Sequence, residues 1–363
     1  MRVLERLDEL YAIGGGPGAN RLGGSAEEDA AHERVAGWMT EAGLGVSVDP
    51  AGNTFGRLPG RRPELPEVWT GSHLDTVPGG GRFDGALGVV AGLEAVERAG
   101  RCERTLTVVA FRNEEGCVGR GVFGSRALCG GLGEDEAPEL DRGGWLDPRP
   151  EAFIEVHVEQ GPRLEEAGVP LAVVSGIGAM ARGAVVFEGR PGHAGTTPLA
   201  GRRDALLQAA EFVLRLRAAA AAVDGAVATV GRVAVEPGAP NVIPGRVTAS
   251  VDARAPDLER LEVVLAVVPA DLHVIGAVEM AERPRATLRA GLKRLGLPVV
   301  ELVSGAGHDA GVLAAAGVPT AMLFVRSLNG GISHSQDELS SGDDVARAVE
   351  VLAGALAQLA SGE

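Results

Sequence analysis

This sequence is poor in the features that mark several classes of protein. Its 363 residues include three cysteines (Cys102, Cys117 and Cys129), an odd number and too few for a disulfide framework. Only twelve residues are Phe, Trp or Tyr, which leaves little surface for base stacking. A formal net charge of −15 opposes a sequence-independent grip on phosphate backbones. No uninterrupted apolar run approaches the roughly 18 residues that span a bilayer. The opening Met1-Arg2-Val3-Leu4-Glu5-Arg6 brings an acid too early and lacks a signal-peptide core. Lysine is represented by Lys293 alone, a coding bias from which no function is drawn. These absences point to a soluble, cytoplasmic globular protein that acts on small molecules, with neither nucleic acid nor membrane among its partners.

What is present is enough chain for two domains and at least one full core, with 45% of the residues hydrophobic. Ser25-Ala26-Glu27-Glu28 has the pattern of a capping box, and Val35, Trp38, Met39 and Ala42 recur behind it at helical spacing. From 66 to 160, short apolar strands alternate with helices: strands over 68–72, 106–111 and 153–158, and a helical stripe of Ala86, Val89, Val90, Leu93 and Val96. That alternation predicts a layered α/β sheet. Near residue 176 the pattern changes. A strand at 184–187, a helix over 204–223, strands over 227–235 and 242–251, a helix at 258–267 and a strand near 273–278 give a β-α-β-β-α-β order. After about 287 the first pattern returns, with strands at 299–303 and 320–325, a helix over 310–316 and a closing amphipathic helix. The economical reading is one α/β domain, 1–175 with 287–363, carrying an inserted domain at 176–286.

Five of the seven histidines lie in segments dense with Gly, Asp and Glu near predicted strands, where an open α/β sheet places its catalytic site. His73 and Asp75 stand two apart at a strand end and face the same way. Asp75 would orient His73, directly or through a water, and a plain His–Asp hydrogen bond would look the same. Asp84 follows Gly79-Gly80-Gly81 and precedes a helix, so by itself it reads as an N-cap; beside His73 a carboxylate bridging two cations gains weight. Glu114 and Glu115 leave the backbone in different directions. One could ligate a cation while the other takes a proton from activated water, although a bare Glu-Glu pair is more often a solvated turn. Along 153–161, Glu155, His157 and Glu159 alternate with apolar residues and share one face. His334 lies in the Gly/Ser loop 330–335, where a histidine is usually just exposed. Hard carboxylates with imidazoles suit Zn²⁺ or Mn²⁺ without the thiolates of a structural site. Cys117 reads as a small buried apolar residue.

Two segments are the most specific: His157-Val158-Glu159-Gln160-Gly161-Pro162 and Gly192-His193-Ala194-Gly195-Thr196-Thr197-Pro198. With Asp49-Pro50-Ala51-Gly52-Asn53 and Gly331-Ile332-Ser333-His334-Ser335, they resemble the hydantoinase/carbamoylase branch of the M20 peptidase superfamily over nearly the whole chain. That resemblance implies a layered mixed-sheet metallohydrolase domain with an inserted ferredoxin-like βαββαβ lid and dimerisation domain. It implies one divalent ion on His73 and His157 and another on Glu115 and His334, with Asp84 bridging. The ions would be Zn or Mn, with Co or Ni as further options. Glu114 would be the general base, with Asp75 beside it in the catalytic set. Gln160, His193 and Asn241 would contact a ureido or carbamoyl substrate, the last two in their own subunit or in the neighbouring one of a homodimer. Arg254 sits at the end of a long insert strand, where its guanidinium could grip an α-carboxylate bidentately; a surface ion pair with Asp252 or Asp257 is the plainer account.

The expected reaction is hydrolysis of the linear amide C–N bond of an N-carbamoyl-L-amino acid, with allantoate as the alternative substrate and an M20 aminopeptidase or deacylase behind both. A non-catalytic binding protein of the same fold is countered by the intact ligand set and Glu114. A nucleotide site is countered by the lack of G-x-x-x-x-G-K-[ST] or G-x-G-x-x-G spacing. Two stretches depart from the family pattern. The segment 257–304 is short, which would trim the last helix and strand of the insert. The loop 326–331 lacks the usual proline and lies beside His334, where it bears on pocket shape. Asp309, after His308, reads as a helix cap rather than a ligand.

Overall fold

The computed structural model describes residues 2–117, 119–140 and 143–362. The chain divides into two compact units, one of Met1–Ser175, Glu279–Leu302 and Gly307–Glu363, the other of Gly176–Val278 and Val303–Ala306. The boundary expected at 287 moves back to 279. The helix Glu282–Arg294 explains the shift: its Leu288 and Leu292 are fully buried in the core of the first unit, and Ala281 N–H donates to Thr320 O at 2.8 Å.

The first unit is built on a mixed sheet. In order its strands are Gly45–Val48, Thr54–Leu58, Leu106–Phe111, Val68–His73, Ala152–Val158, Thr320–Val325 and Leu171–Ile177, with Val278–Glu279 and Glu301–Ser304 against the last. The four middle strands run parallel to one another, and the flanking pairs are antiparallel. Every residue of those four is buried, which is why they read as near-continuous apolar runs. Helices Ala86–Ala99 and Gly342–Leu359 bury Leu87, Val90, Leu93, Val349, Leu352 and Leu356 in the same core. Each such side chain contributes about 1.5–3 kcal/mol on leaving water. Ser25 caps the helix Ala26–Glu41 by accepting from Glu28 N–H, and the Glu28 carboxylate reaches back to Gly24 N–H. Because the middle strands are parallel, their C-terminal ends emerge on one edge of the sheet, and that edge carries His73, the segment after Phe111 and His157.

The second unit holds an antiparallel sheet in the order Val233–Glu236, Arg246–Ala255, Ala179–Glu188, His273–Ile275, with Val227–Thr229 also paired to Arg246–Ala255. Burial alternates along Arg246–Ala255, and its inner face packs with Phe212 and Leu216 of the helix Ala205–Ala221. The strand expected over 242–251 is interrupted at Pro244-Gly245. Val242–Ile243 pairs instead with Gly192–His193. The expected 227–235 strand is likewise two pieces, and the expected four-residue strand at 184–187 extends to ten residues. The closing elements are brief: the helix Leu258–Leu265 has 8 residues and the strand His273–Ile275 has 3, against 17 and 10 for the first helix and strand. Among the described residues no helix is long and apolar enough to cross a membrane.

Candidate metal centre

In the first unit, His73 ends its strand and is buried, and its Nδ1 lies 3.1 Å from Asp75 O and 3.4 Å from Asp75 Oδ1. That partner holds the Nδ1 proton and turns a lone pair on Nε2 inward, 3.8 Å from both Asp84 Oδ1 and Glu114 Oε2. His157 repeats the arrangement, with Nδ1 2.9 Å from Val158 O and Nε2 3.1 Å from Asp84 Oδ1. On the other side of the same carboxylate, His334 Nε2 lies 3.4 Å from Asp84 Oδ2 and 3.3 Å from Glu115 Oε2. Asp84 thus turns one oxygen to His73 and His157 and the other to His334 and Glu115.

Asp84 does not cap the helix behind it. Gly85 occupies the cap position at φ +62°, in the left-handed region, and an added Cβ there would stand 2.4 Å from the His73 ring. Glycine lets the chain turn this tightly against the imidazole. Asp75 does more than touch His73, since its two oxygens accept the N–H groups of Glu114 at 2.9 Å and Glu115 at 3.0 Å. The Glu-Glu pair is therefore fixed by backbone bonds and is no solvated turn. Asn113 before it, Gln160 and His334 itself have φ of 47°, 55° and 54°. Non-glycine backbone in that region carries strain, and here it clusters at the site.

The electrostatics follow from burying acids together. Burial pushes Glu114 well above the ordinary carboxylate range, with Asp309, Glu115 and Asp75 adding to the shift against the pull of His73. Burial and the like charge of Asp84 push Glu115 up to about 7. Burial would depress His73, but Glu114, Asp75 and Asp84 outweigh it and hold the imidazole well above its usual value. Burial would raise Asp84, yet hydrogen bonds to His157 and His334 hold it well below the ordinary range. In the metal-free chain the imidazoles thus hold protons at Nε2, the positions from which a cation would displace them. Two groups of donor atoms, His73–Asp84–His157 and Asp84–Glu115–His334, each lie within 4.8 Å of one another. Inward Nε2 lone pairs and paired carboxylate oxygens are the donors that a hard or borderline divalent cation takes, so these residues fit one. A third group, Glu155–His157–His308, shares His157, but Glu155 already accepts from Ser72 Oγ at 2.7 Å and Ala310 N–H at 2.9 Å.

Of the other expected contacts, Gln160 donates from Nε2 to Asp84 Oδ2 at 2.8 Å. His193 and Asn241 belong to the second unit, where both are exposed and the 192–193 and 242–243 strands bring them side by side. Arg254, also there, binds Asp252 through Nε and a second nitrogen at 2.8 and 3.1 Å and donates to Gly305 O at 2.8 Å, so its carboxylate partner is Asp252. Cys117 is exposed rather than buried. Asp309 is the first residue of its helix, capped by His308, and accepts from Ser125 Oγ at 2.6 Å. Glu159 leaves the strand pattern to accept Arg163 and Leu164 N–H at 3.0 and 2.9 Å. Glu338 has no place in the sequence reading, and Ser333 enters it only as part of the segment around His334. Glu338 accepts the N–H groups of Phe83 and Asp84, and the one hint was an acid four residues beyond His334.

Residues 69–358 match the peptidase family M20/M25/M40. The chain belongs to this family. It is 38% identical over 407 residues to N-carbamoyl-L-amino acid amidohydrolase of Geobacillus stearothermophilus, covering 100% of this chain and 99% of that M20 relative. It is 33% identical over 416 residues to a probable allantoate deiminase of Oryza sativa subsp. japonica, covering 94% of this chain and 84% of the relative. A solved amidase of the hydantoinase/carbamoylase family from Burkholderia multivorans superposes with a TM-score of 0.85 at 32% identity, over 99% of this chain and 97% of that one.

Proposed function

We propose that this M20 chain is a metal-dependent amidohydrolase that cleaves the linear amide C–N bond of N-carbamoyl-L-amino acids. The observation that carries the reading is Asp84, whose two oxygens face two different imidazole-containing donor groups with Glu114 alongside. The full-length similarity to a carbamoyl amino acid amidohydrolase supplies the substrate class. His73 and His157 would hold one ion, Glu115 and His334 the other, with Asp84 shared; Zn or Mn suits these donors best, and Co or Ni is an acceptable substitute. When bound, the cations supply Lewis-acid activation of water and polarise the ureido carbonyl.

Glu114 is the general base. Its carboxylate would accept the proton of the attacking water and then release it to the departing amino acid nitrogen, and neighbouring cations would keep it ionised against the burial and nearby acids that raise its pKa. The C–N bond to that nitrogen breaks, and the carbamic acid left over decays to carbon dioxide and ammonia. Asp75 holds Glu114 and Glu115 in register through their amides and orients His73. Gln160, His193 and Asn241 contact the substrate. Arg254 takes its carboxylate with the guanidinium N–H groups that Asp252 and Gly305 O leave free. The second unit is the ferredoxin-like lid and dimerisation domain of a cytoplasmic homodimer. Its antiparallel order and the exposed Leu206, Leu207 and Leu214 on one helix support that role.

The deciding experiment is a steady-state assay of freshly purified protein on N-carbamoyl-L-amino acids and on allantoate, with metal analysis of the same sample. Carbamoyl turnover with two bound divalent ions per chain is the expected result. Turnover of allantoate alone would select the second reading, which the similarity to the rice deiminase favours and which shares every ligand. Inertness toward both would overturn the assignment.

A further inference from the structure

Among the buried acids that the mechanism leaves without a task, Glu338 stands against the backbone of Asp84 itself. Glu338 is 5% exposed, its Oε1 accepts Phe83 N–H at 2.7 Å and Asp84 N–H at 3.0 Å, and its Oε2 accepts the Ser333 hydroxyl at 2.7 Å. The same hydroxyl lies 3.1 Å from Asp84 Oδ2. One carboxylate therefore ties the segment that carries Asp84 to the loop that carries His334. Asp75 clamps Glu114 and Glu115 by the same device, two consecutive N–H groups on one carboxylate. A neutral acceptor would satisfy the two amides of Phe83 and Asp84 equally well. A second carboxylate next to Asp84 adds repulsion in a buried place, so simple capping of the chain does not account for it. Cation charge shared by Asp84 would offset that repulsion.

We propose that Glu338 is a positioning residue that holds Asp84 and the His334 loop in one register, so that the cation shared by Asp84, Glu115 and His334 meets a preformed set of donors. The proposal rests on the metal-centre reading above. It acts through Asp84 and Ser333, and Glu338 itself does not touch substrate. Gly81 provides an independent handle. A Cβ there would stand 2.2 Å from the Glu338 carboxyl group, and Gly81 does not have left-handed backbone, so alanine at 81 is opposed chiefly by this side chain.

The test is equilibrium titration of metal-free, full-length protein with Co²⁺, followed by visible absorption and without substrate. In Glu338→Ala the affinity for the second ion is expected to fall by about 10–100-fold, while the first ion changes little. Glu338→Gln keeps an acceptor for the two amides but not the negative charge, and is expected to recover only part of that loss. Gly81→Ala should reproduce the loss by pushing the carboxylate aside. The double variant Gly81→Ala with Glu338→Ala should then bind no worse than Glu338→Ala alone. Unchanged second-ion affinity in Glu338→Ala, equal weakening of both ions, or additive losses in the double variant would each overturn the proposal. Failure of the substrate reading is seen separately in the carbamoyl assay, which this titration does not use.

Discussion

In the first unit His73, Asp75 and His157 at strand ends and Asp84 just ahead of the helix Ala86–Ala99 show 3% exposure or less, each bonded to backbone or to another ionisable group. In the second unit His193 and Asn241 stand in the open, and Arg254 is already engaged by Asp252. The first arrangement buries surplus negative charge that protons or cations must neutralise. The second keeps polar groups in water, where they cost little. Under the proposed function the contrast separates the tasks: the groups assigned to chemistry are buried and fixed, and His193 and Asn241, assigned to recognition, are exposed.

Removing metal should strike the first unit hardest. Chelation is expected to abolish turnover, and Zn²⁺ or Mn²⁺ to restore it, in a steady-state assay. Glu114→Ala should lower kcat by about 10²–10⁴-fold while metal content by elemental analysis stays normal; unimpaired turnover would remove Glu114 as the base. Leu323→Ala, in the fully buried Thr320–Val325 strand, should cost about 2–5 kcal/mol in denaturant unfolding.

The second unit should respond in recognition rather than chemistry. Arg254→Lys is expected to raise KM for a carbamoyl amino acid about tenfold, worth about 1.4 kcal/mol, with kcat nearly kept. A fall in kcat alone would contradict the division.

A subtler difference should appear with pH in metal-free protein. Glu115 and Glu338 rise from 4.5 to about 7, each mainly through burial and then through the charge of Asp84, and the site imidazoles are raised as well. The folded chain thus holds these protons more tightly than the unfolded one. Their stabilisation is complete below 4.5 for the acids and is lost as pH rises through about 7. Asp84 has the opposite sign, but its contribution changes only below 3.8. The melting temperature of the apoprotein should therefore fall between pH 5 and 8, and saturating divalent cation should flatten that slope. The smallest effect is expected for Leu214→Ser on the exposed helix face, within about 0.5 kcal/mol for the protomer, with any larger consequence confined to dimer content by size-exclusion chromatography.

Sequence patterns revealed elements in proportion to their burial. The strands Leu106–Phe111 and Thr320–Val325 match their expected ends to the residue, because burial on both faces makes them continuous apolar runs. The strand Ala179–Glu188 was expected at less than half its length, since its outer residues alternate with solvent and Gly183 breaks the apolar pattern. Asp84 before a helix looked like a cap because local spacing cannot show that Gly85 takes that position in left-handed backbone. Glu338 was hidden for a different reason. Its partners lie 255 and 254 positions away, a separation at which no local period carries information. Cys117 was taken as buried from its residue type, but it follows the polar Glu-Glu segment into an exposed turn.

Asp84 is one side chain serving two neighbourhoods. Under the proposed function that single carboxylate would belong to both donor groups, so losing it would weaken both at once, whereas losing His157 or Glu115 would weaken only one.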